Sequence, residues 1–297
     1  MLRKQDGSSG ISWKNCLPPP EGTVVRARLG PGVDPARAIA EILQLAGGVG
    51  AAIRPGSQHP VDQRDDYVRW AIDTEAHLES VLRRQDAQAF FDNPRHRDIL
   101  VMPLGNYLTT LIYAELEAKR RALADVVTDL RAQVARMTGA PGFPIVVDSN
   151  VLLQCQRLDS VTWPTEVGEA RVIVPLRVME EIDAKKYGDN KRLRGVARGV
   201  VTWIDSLFPG GGPGPVRIRD GRGDTIELLL ADRPRYRPMD ADEEVLDAAH
   251  EVAQFARQVV KVMTADTAMR VRARHEGLDV LRVPDEWLRI REDAAEE

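Results

Sequence analysis

From Pro144 onward the chain alternates between apolar runs of strand length and amphipathic runs of helix length, and this alternation constrains the fold more than any other feature. PIVVD reads as a buried strand, SNVLLQCQRL as the helix behind it, RVIVP as a second strand and LRVMEEIDAKK as a second helix. A helix over 191–207 follows, then a Gly/Pro loop, PGGGPGP. VRIRD and TIELLLAD, joined by DGRGD, read as a hairpin insertion. Residues 241–256 read as a helix with Val245, Ala248, Ala249 and Val252 on one face; KVMT is a strand, 267–275 a helix and DVLRV a last strand. Strands separated by helices pair through crossovers, which build a mainly parallel sheet with helices on both faces. The fold class expected is α/β: a C-terminal three-layer domain with a mainly parallel sheet, preceded by a mostly α-helical N-terminal domain.

The boundary falls in MTGAPGFP, over 137–144, where two Gly and two Pro stop any helix. Residues 1–140 and 141–297 are therefore expected to be separate domains, as the length of 297 residues allows. In the first, Asp34 reads as the N-cap of PARAIAEILQLAGG, with Pro35 at the first helical position and Gly47 and Gly48 as the stop. A second helix is expected over about 61–85, carrying Tyr67, Ala71, Leu78 and Leu82 on one stripe. A third spans about 106–137, where Leu116, Leu123, Leu130 and Met137 recur every seven residues. That stripe suits packing within its own domain or a dimerising seam; Lys119 and Arg120 stand where a second apolar seam position would fall. Homo-oligomerisation through these helices stays open.

Composition removes several function classes. With 41 Lys+Arg against 45 Asp+Glu the net charge is −4, which excludes a basic protein that coats nucleic acid. Cys16 and Cys155 are the only cysteines, too few for a disulfide scaffold. No stretch approaches the roughly 18 charge-free apolar residues of a membrane span, and no apolar run follows the early basic residues as in a secretory signal. A soluble, cytoplasmic protein is expected. The charge is uneven: residues 1–140 hold 18 basic and 17 acidic residues, and the remainder holds 23 and 28. The acidity lies in the α/β half.

Four acids in that half stand where ligands bind in open parallel sheets, beyond the carboxyl ends of strands. Asp148 ends the first strand and Asp266 follows KVMT. Glu181 lies on the helix after the second strand and Asp242 in the first turn of the later helix. Two carboxylates ~5 Å apart repel by about 3 kcal/mol at an effective dielectric of ~20, so converging acids call for a cation or a proton. Oxygen donors without His or Cys companions suit Mg²⁺ or Mn²⁺, and such an ion serves phosphodiester hydrolysis. Taken one at a time, Asp148 and Asp266 also suit the N-caps of the helices that follow them.

The order and context of these segments resemble the PIN-domain nuclease family, in its larger rather than minimal toxin form, over about 144–287. IVVDSNVLL matches a strand running into Asp-x-Asn, and VPLRVMEEIDAKK an apolar strand and a helix with Glu before an apolar residue and Asp. ADEEVLDAA matches an acid before an apolar helix face, and VMTADTAMRVRA a strand, Thr, Asp and an Arg-bearing helix. The resemblance implies an endoribonuclease that takes single-stranded RNA and uses Mg²⁺ or Mn²⁺. It implies that Asp148, Glu181, Asp242 and Asp266 are the catalytic, metal-binding quartet, with Asn150 and Thr264 in support. At the third acid Asp240, Glu243 and Glu244 compete; Asp240 with Glu243 reads as a capping box, and Asp242 keeps the family spacing to Val245. Glu181 is preferred to Glu180 because Ile182-Asp183 follows it.

Lys185, Lys186, Lys191, Arg192, Arg194 and Arg198 follow Glu181, and Arg270, Arg272 and Arg274 follow Asp266. Arg192, Arg194 and Arg270 are candidates for the phosphate backbone; a solvated helix face is the alternative. Trp163 and Trp203 suit either the core or base stacking, and Cys155 is a packed thiol on a helix. Three functions remain in view: an active endoribonuclease, a structure-specific DNA nuclease, and a non-catalytic RNA-binding or regulatory module.

Overall fold

A computed structural model describes residues 27–56, 59–210, 212, 214–219, 221–230 and 240–289. Cys16 and the N-terminal stretch lie outside the described residues. Contacts divide the chain into two compact units. One holds 27–139 with 254–257, the other 140–253 and 258–289, within the described residues.

The first unit is helical: α1 (Pro35–Gly48), α2 (Pro60–Val81), α3 (Arg84–Phe91), α4 (Pro94–Val101) and α5 (Asn106–Gly139). Asp34 caps α1, its carboxylate accepting from the Arg37 N–H at 3.1 Å. The glycines expected to stop α1 do not: it runs through Gly48 and tightens into a 3₁₀ turn over Val49–Ala51. The helix expected to reach residue 85 ends at Val81, because Leu82 turns extended and bridges Leu29. Gly30 N–H donates to the Val81 carbonyl and Arg83 N–H to the Arg28 carbonyl, both at 2.9 Å, so a non-local strand pair takes over from the helix. α1, α2 and α4 pack on α5. Leu116, Leu123, Leu130 and Met137 of the heptad stripe are buried within the chain itself.

The second unit contains β1 (Phe143–Val147), α6 (Ser149–Gln154), β2 (Ala170–Pro175), α7 (Leu176–Lys185), α8 (Lys191–Leu207), β3 (Val216–Arg217), β4 (Thr225–Leu229), α9 (Ala241–Ala256), β5 (Lys261–Thr264), α10 (Thr267–His275) and β6 (Asp279–Arg282). Its six strands run in the order β3-β4-β2-β1-β5-β6, all parallel except the short β3. Apolar runs without alternation form the central strands because both faces are covered. Ile145, Val146, Val147, Val172, Ile173 and Val174 are all fully buried. Gly142 enters β1 at φ +93°, and a Cβ there would stand 3.1 Å from the backbone of Ala170 and Arg171, so only glycine suits this approach.

Two expectations need correction. The hairpin is not an insertion: β4 pairs in parallel with β2 along its whole length and is buried throughout. A buried ion pair joins these strands, Arg171 to Glu227 at 2.7 Å. Cys155 is buried but lies just past α6, which closes at Gln154; residues 155 and 288 bridge there, and burial pushes the thiol up to about 11.

Candidate active site

The strand order decides where a site can open. From β1 the chain steps outward through β2 to β4, then crosses back to β5 and on to β6. Right-handed crossovers in opposite directions place their helices on opposite faces, so a crevice opens beyond the carboxyl ends of β1 and β5. Asp148 immediately follows β1, and Asp266 stands two residues after β5.

Both aspartates cap the helices behind them. Asp148 Oδ1 accepts from the Val151 N–H at 2.8 Å, and Asp266 Oδ1 accepts from the Ala268 N–H at 2.7 Å. Capping and a place in the site are compatible, because one oxygen does the first. Asp148 Oδ2 accepts from the Thr264 hydroxyl at 2.5 Å and lies 3.5 Å from the Asn150 amide. Thr264 Oγ1 in turn accepts from the Asp266 N–H at 2.9 Å. The fully buried Thr264 thus fastens the end of β1 to the start of α10, the supporting place expected for it.

Asp242 lies in the first turn of α9. Its neighbour Asp240 caps that helix, accepting from the Glu243 N–H at 2.7 Å. Arg272 of α10 donates to Asp240 Oδ2 at 3.2 Å and lies 3.8 Å from Asp242 Oδ2. Glu180 sits 3.8 Å from Arg177 of its own helix, whereas Glu181 acts on the field at Asp242.

Electrostatics joins the four acids. Burial raises the Asp148 carboxyl above its ordinary value; hydrogen bonds from Thr264, Val151 and Asn150 oppose this, and Asp242 adds to it. Asp242 is also raised, first by burial and then by Asp240; Arg272 opposes, and Asp266 and Glu181 add. Asp242 thus stands in the field of Asp240, Asp266 and Glu181, and Asp148 in the field of Asp242.

Five carboxylates are buried among the described residues: Asp66, Glu115, Asp148, Asp224 and Glu227. Four face cations: Asp66 pairs with Arg54, Glu115 with Arg95 and Lys119, Asp224 with Arg219, and Glu227 with Arg171. Asp148, 5 % exposed, pairs with none among the described residues. A buried carboxylate without a cation, in the field of a second acid, is costly as an anion unless a positive ion joins it or it takes up a proton.

The donor chemistry suits a hard divalent cation, being all oxygen. The spacing is wider than coordination: among the described residues no three His, Cys, Asp or Glu side chains stand close enough to hold a metal ion. Asp148 is pinned at both oxygens, while Glu181 and Asp242 are only partly buried.

The basic residues divide. Arg270 donates to the Thr264 and Ala265 carbonyls and to the Thr267 hydroxyl, so it braces the turn after β5 rather than facing solvent as a backbone contact. Arg194 lies 3.5 Å from the Gly188 carbonyl, and Arg192 is exposed on α8. Trp163 and Trp203 are buried, which removes them as stacking surfaces; Trp163 meets Trp287 edge-on at 5.0 Å. The bond of Arg272 to Asp240 spans 32 residues and had no local signal.

Residues 145–283 match the family model of the PIN domain. Over this segment the chain is similar to PIN domains, which are generally nucleases and typically use divalent metals. No match was found among the curated proteins.

Proposed function

We propose that this protein is a divalent-metal-dependent endoribonuclease that hydrolyses phosphodiester bonds of single-stranded RNA. The observation that carries the reading is Asp148: the buried carboxylate with no cation partner among the described residues, at the sheet's switch point, in the field of Asp242. Asp148, Glu181, Asp242 and Asp266 would hold a Mg²⁺ or Mn²⁺ ion, which when bound supplies an activated water and positive charge against the phosphodiester. Thr264 and Asn150 hold Asp148 in one orientation, so its oxygens need no rearrangement at the moment of reaction. Thr264 also positions the Asp266 backbone. Single-stranded RNA as substrate is supported by the family resemblance.

The test is cleavage by the full chain of fluorescent single-stranded RNA, single-stranded DNA and branched DNA, with Mn²⁺ and with chelator. RNA cleavage that needs Mn²⁺ and disappears in Asp148→Asn is expected. Preference for branched DNA would overturn the substrate, and RNA binding without metal-stimulated cleavage would overturn the activity.

A further inference from the structure

The longest run of positive charge near the acids lies on α7 and α8. Between positions 185 and 198 the chain has six basic residues and one acid, Asp189. α7 carries Glu181, and Tyr187 follows six residues later in the turn to α8. This tyrosine is 75 % exposed, the highest exposure among the large hydrophobic residues of the second unit. Lys186 lies over its ring at 5.8 Å and is paired to Asp183 of α7.

α8 is strongly two-sided. Ala197, Val200, Trp203 and Ile204 are buried. The opposite stripe shows Lys191, Arg192, Gly195, Arg198, Gly199 and Thr202 to solvent, with no acid among them. Packing within the chain does not require the two glycines, because a Cβ on either would meet nothing within 4 Å. Each costs a helix roughly 1 kcal/mol relative to alanine. Their effect is to leave the floor between the cations flat.

We infer that Tyr187 and the solvent face of α8 form the platform on which a single-stranded nucleic acid lies as it approaches the acids. Tyr187 stacks on a base, and Lys191 and Arg198 meet phosphates. The occupant follows from chemistry: an acid-free cationic stripe complements a polyanion, and an exposed ring beside it offers the sequence-tolerant stacking that single strands use. A duplex keeps its bases stacked internally and has none to give Tyr187. The inference rests on the nuclease reading and assigns that site its approach surface.

The experiment is fluorescence anisotropy of a short labelled oligouridine on the full chain, in chelator so that nothing is cut. Tyr187→Ala is expected to weaken binding about fivefold or more, while Tyr187→Phe keeps it. The double change Lys191→Gln, Arg198→Gln is expected to reduce the slope of log affinity against log salt by about 1.4, since each phosphate contact on a single strand contributes about 0.7. All these side chains are exposed, and thermal melts of the variants check that the fold is kept. Oligouridine binding that ignores every change, an absence of binding, or equal affinity for polyglutamate would overturn the platform. The Mn²⁺ cleavage assay judges the nuclease reading separately, because RNA cleavage with unchanged variants leaves that reading standing.

Discussion

The helical unit pairs each of its buried carboxylates with a cation, and the α/β unit does so for Asp224 and Glu227 but not, among the described residues, for Asp148. In the helical unit Asp66 is met by Arg54 at 2.5 Å, and Glu115 by Arg95 at 3.2 Å and Lys119 at 3.4 Å. In the α/β unit Asp148 is met by a hydroxyl and a backbone N–H, and the charges that act on it include another acid. The first arrangement neutralises charge inside the fold and finishes there. The second leaves Asp148 at a crevice with no cation among the described residues, where a proton or a cation from outside would balance it. Burial of an acid is thus uninformative by itself; the sign of its neighbours separates a structural carboxylate from a functional one.

The sharpest way to break this comparison is to neutralise one acid of each kind. Asp148→Asn is expected to lower metal-stimulated cleavage by roughly a hundredfold or more while leaving the protein folded, because the amide oxygen keeps the Val151 N–H bond and shedding the buried charge offsets the Thr264 hydroxyl bond that an NH2 group cannot accept. Glu115→Gln should do the reverse, costing about 3 kcal/mol in urea denaturation by leaving buried Lys119 without its counter-charge, with cleavage per folded molecule retained. If Asp148→Asn unfolded the protein, Asp148 would belong with Glu115.

An intermediate effect is expected at the connection between the two strand ends. Thr264→Val removes a donor to Asp148 and an acceptor for the Asp266 N–H, both in the interior. A loss of about 1–3 kcal/mol is expected in denaturation. The acid limb of cleavage against pH should also move up, since one interaction that favours ionised Asp148 is gone.

The pH dependence of stability sharpens the contrast. Burial raises Asp148 in the folded state above its ordinary 3.8. The folded protein therefore holds the proton more strongly than the unfolded chain, and stability falls as pH rises from the ordinary value through the raised one. The stability of Asp148→Asn relative to wild type should be greater at neutral pH than near and below pH 3.8. A relative stability that grew on acidification would show that Asp148 is stabilised as an anion after all. The smallest effect belongs to Arg272→Gln. It is exposed and supports Asp242 only from the side, so stability should hardly change. Metal titrations should reach half-saturation at about twofold lower Mn²⁺, because a competing cation has gone.

Much of the site is legible in the amino-acid sequence. Asp148 and Asp266 are recognisable because a strand that ends in Asp and runs into a helix is a local pattern, and both the strand end and the cap are local events. Asp240 as a cap follows from Glu243 three residues on. Arg270 and Arg272 illustrate the limit. Two residues apart on one helix, they look alike in sequence, yet Arg270 turns to its own strand end and Arg272 reaches another helix. The helical unit is less legible for the same reason. Helix α2 stops where residues 28–30 pair with 81–83, a contact that helical periodicity does not encode.

In the α/β unit the order of strands and helices, the parallel pairing of β1, β2, β5 and β6 and the placing of Asp148 and Asp266 after strand ends were legible in the sequence alone, because hydrophobic period, capping and crossover geometry act over a few residues or follow from connectivity. Tertiary structure decided the rest. It made β4 a full member of the sheet through Arg171 and Glu227, 56 residues apart, and hung Asp148 on Thr264 across 116 residues. It also left Asp148 as the buried acid without a cation among the described residues. Whether a buried charge is balanced depends on which side chains share its few ångströms of space, and that is a property of the folded chain.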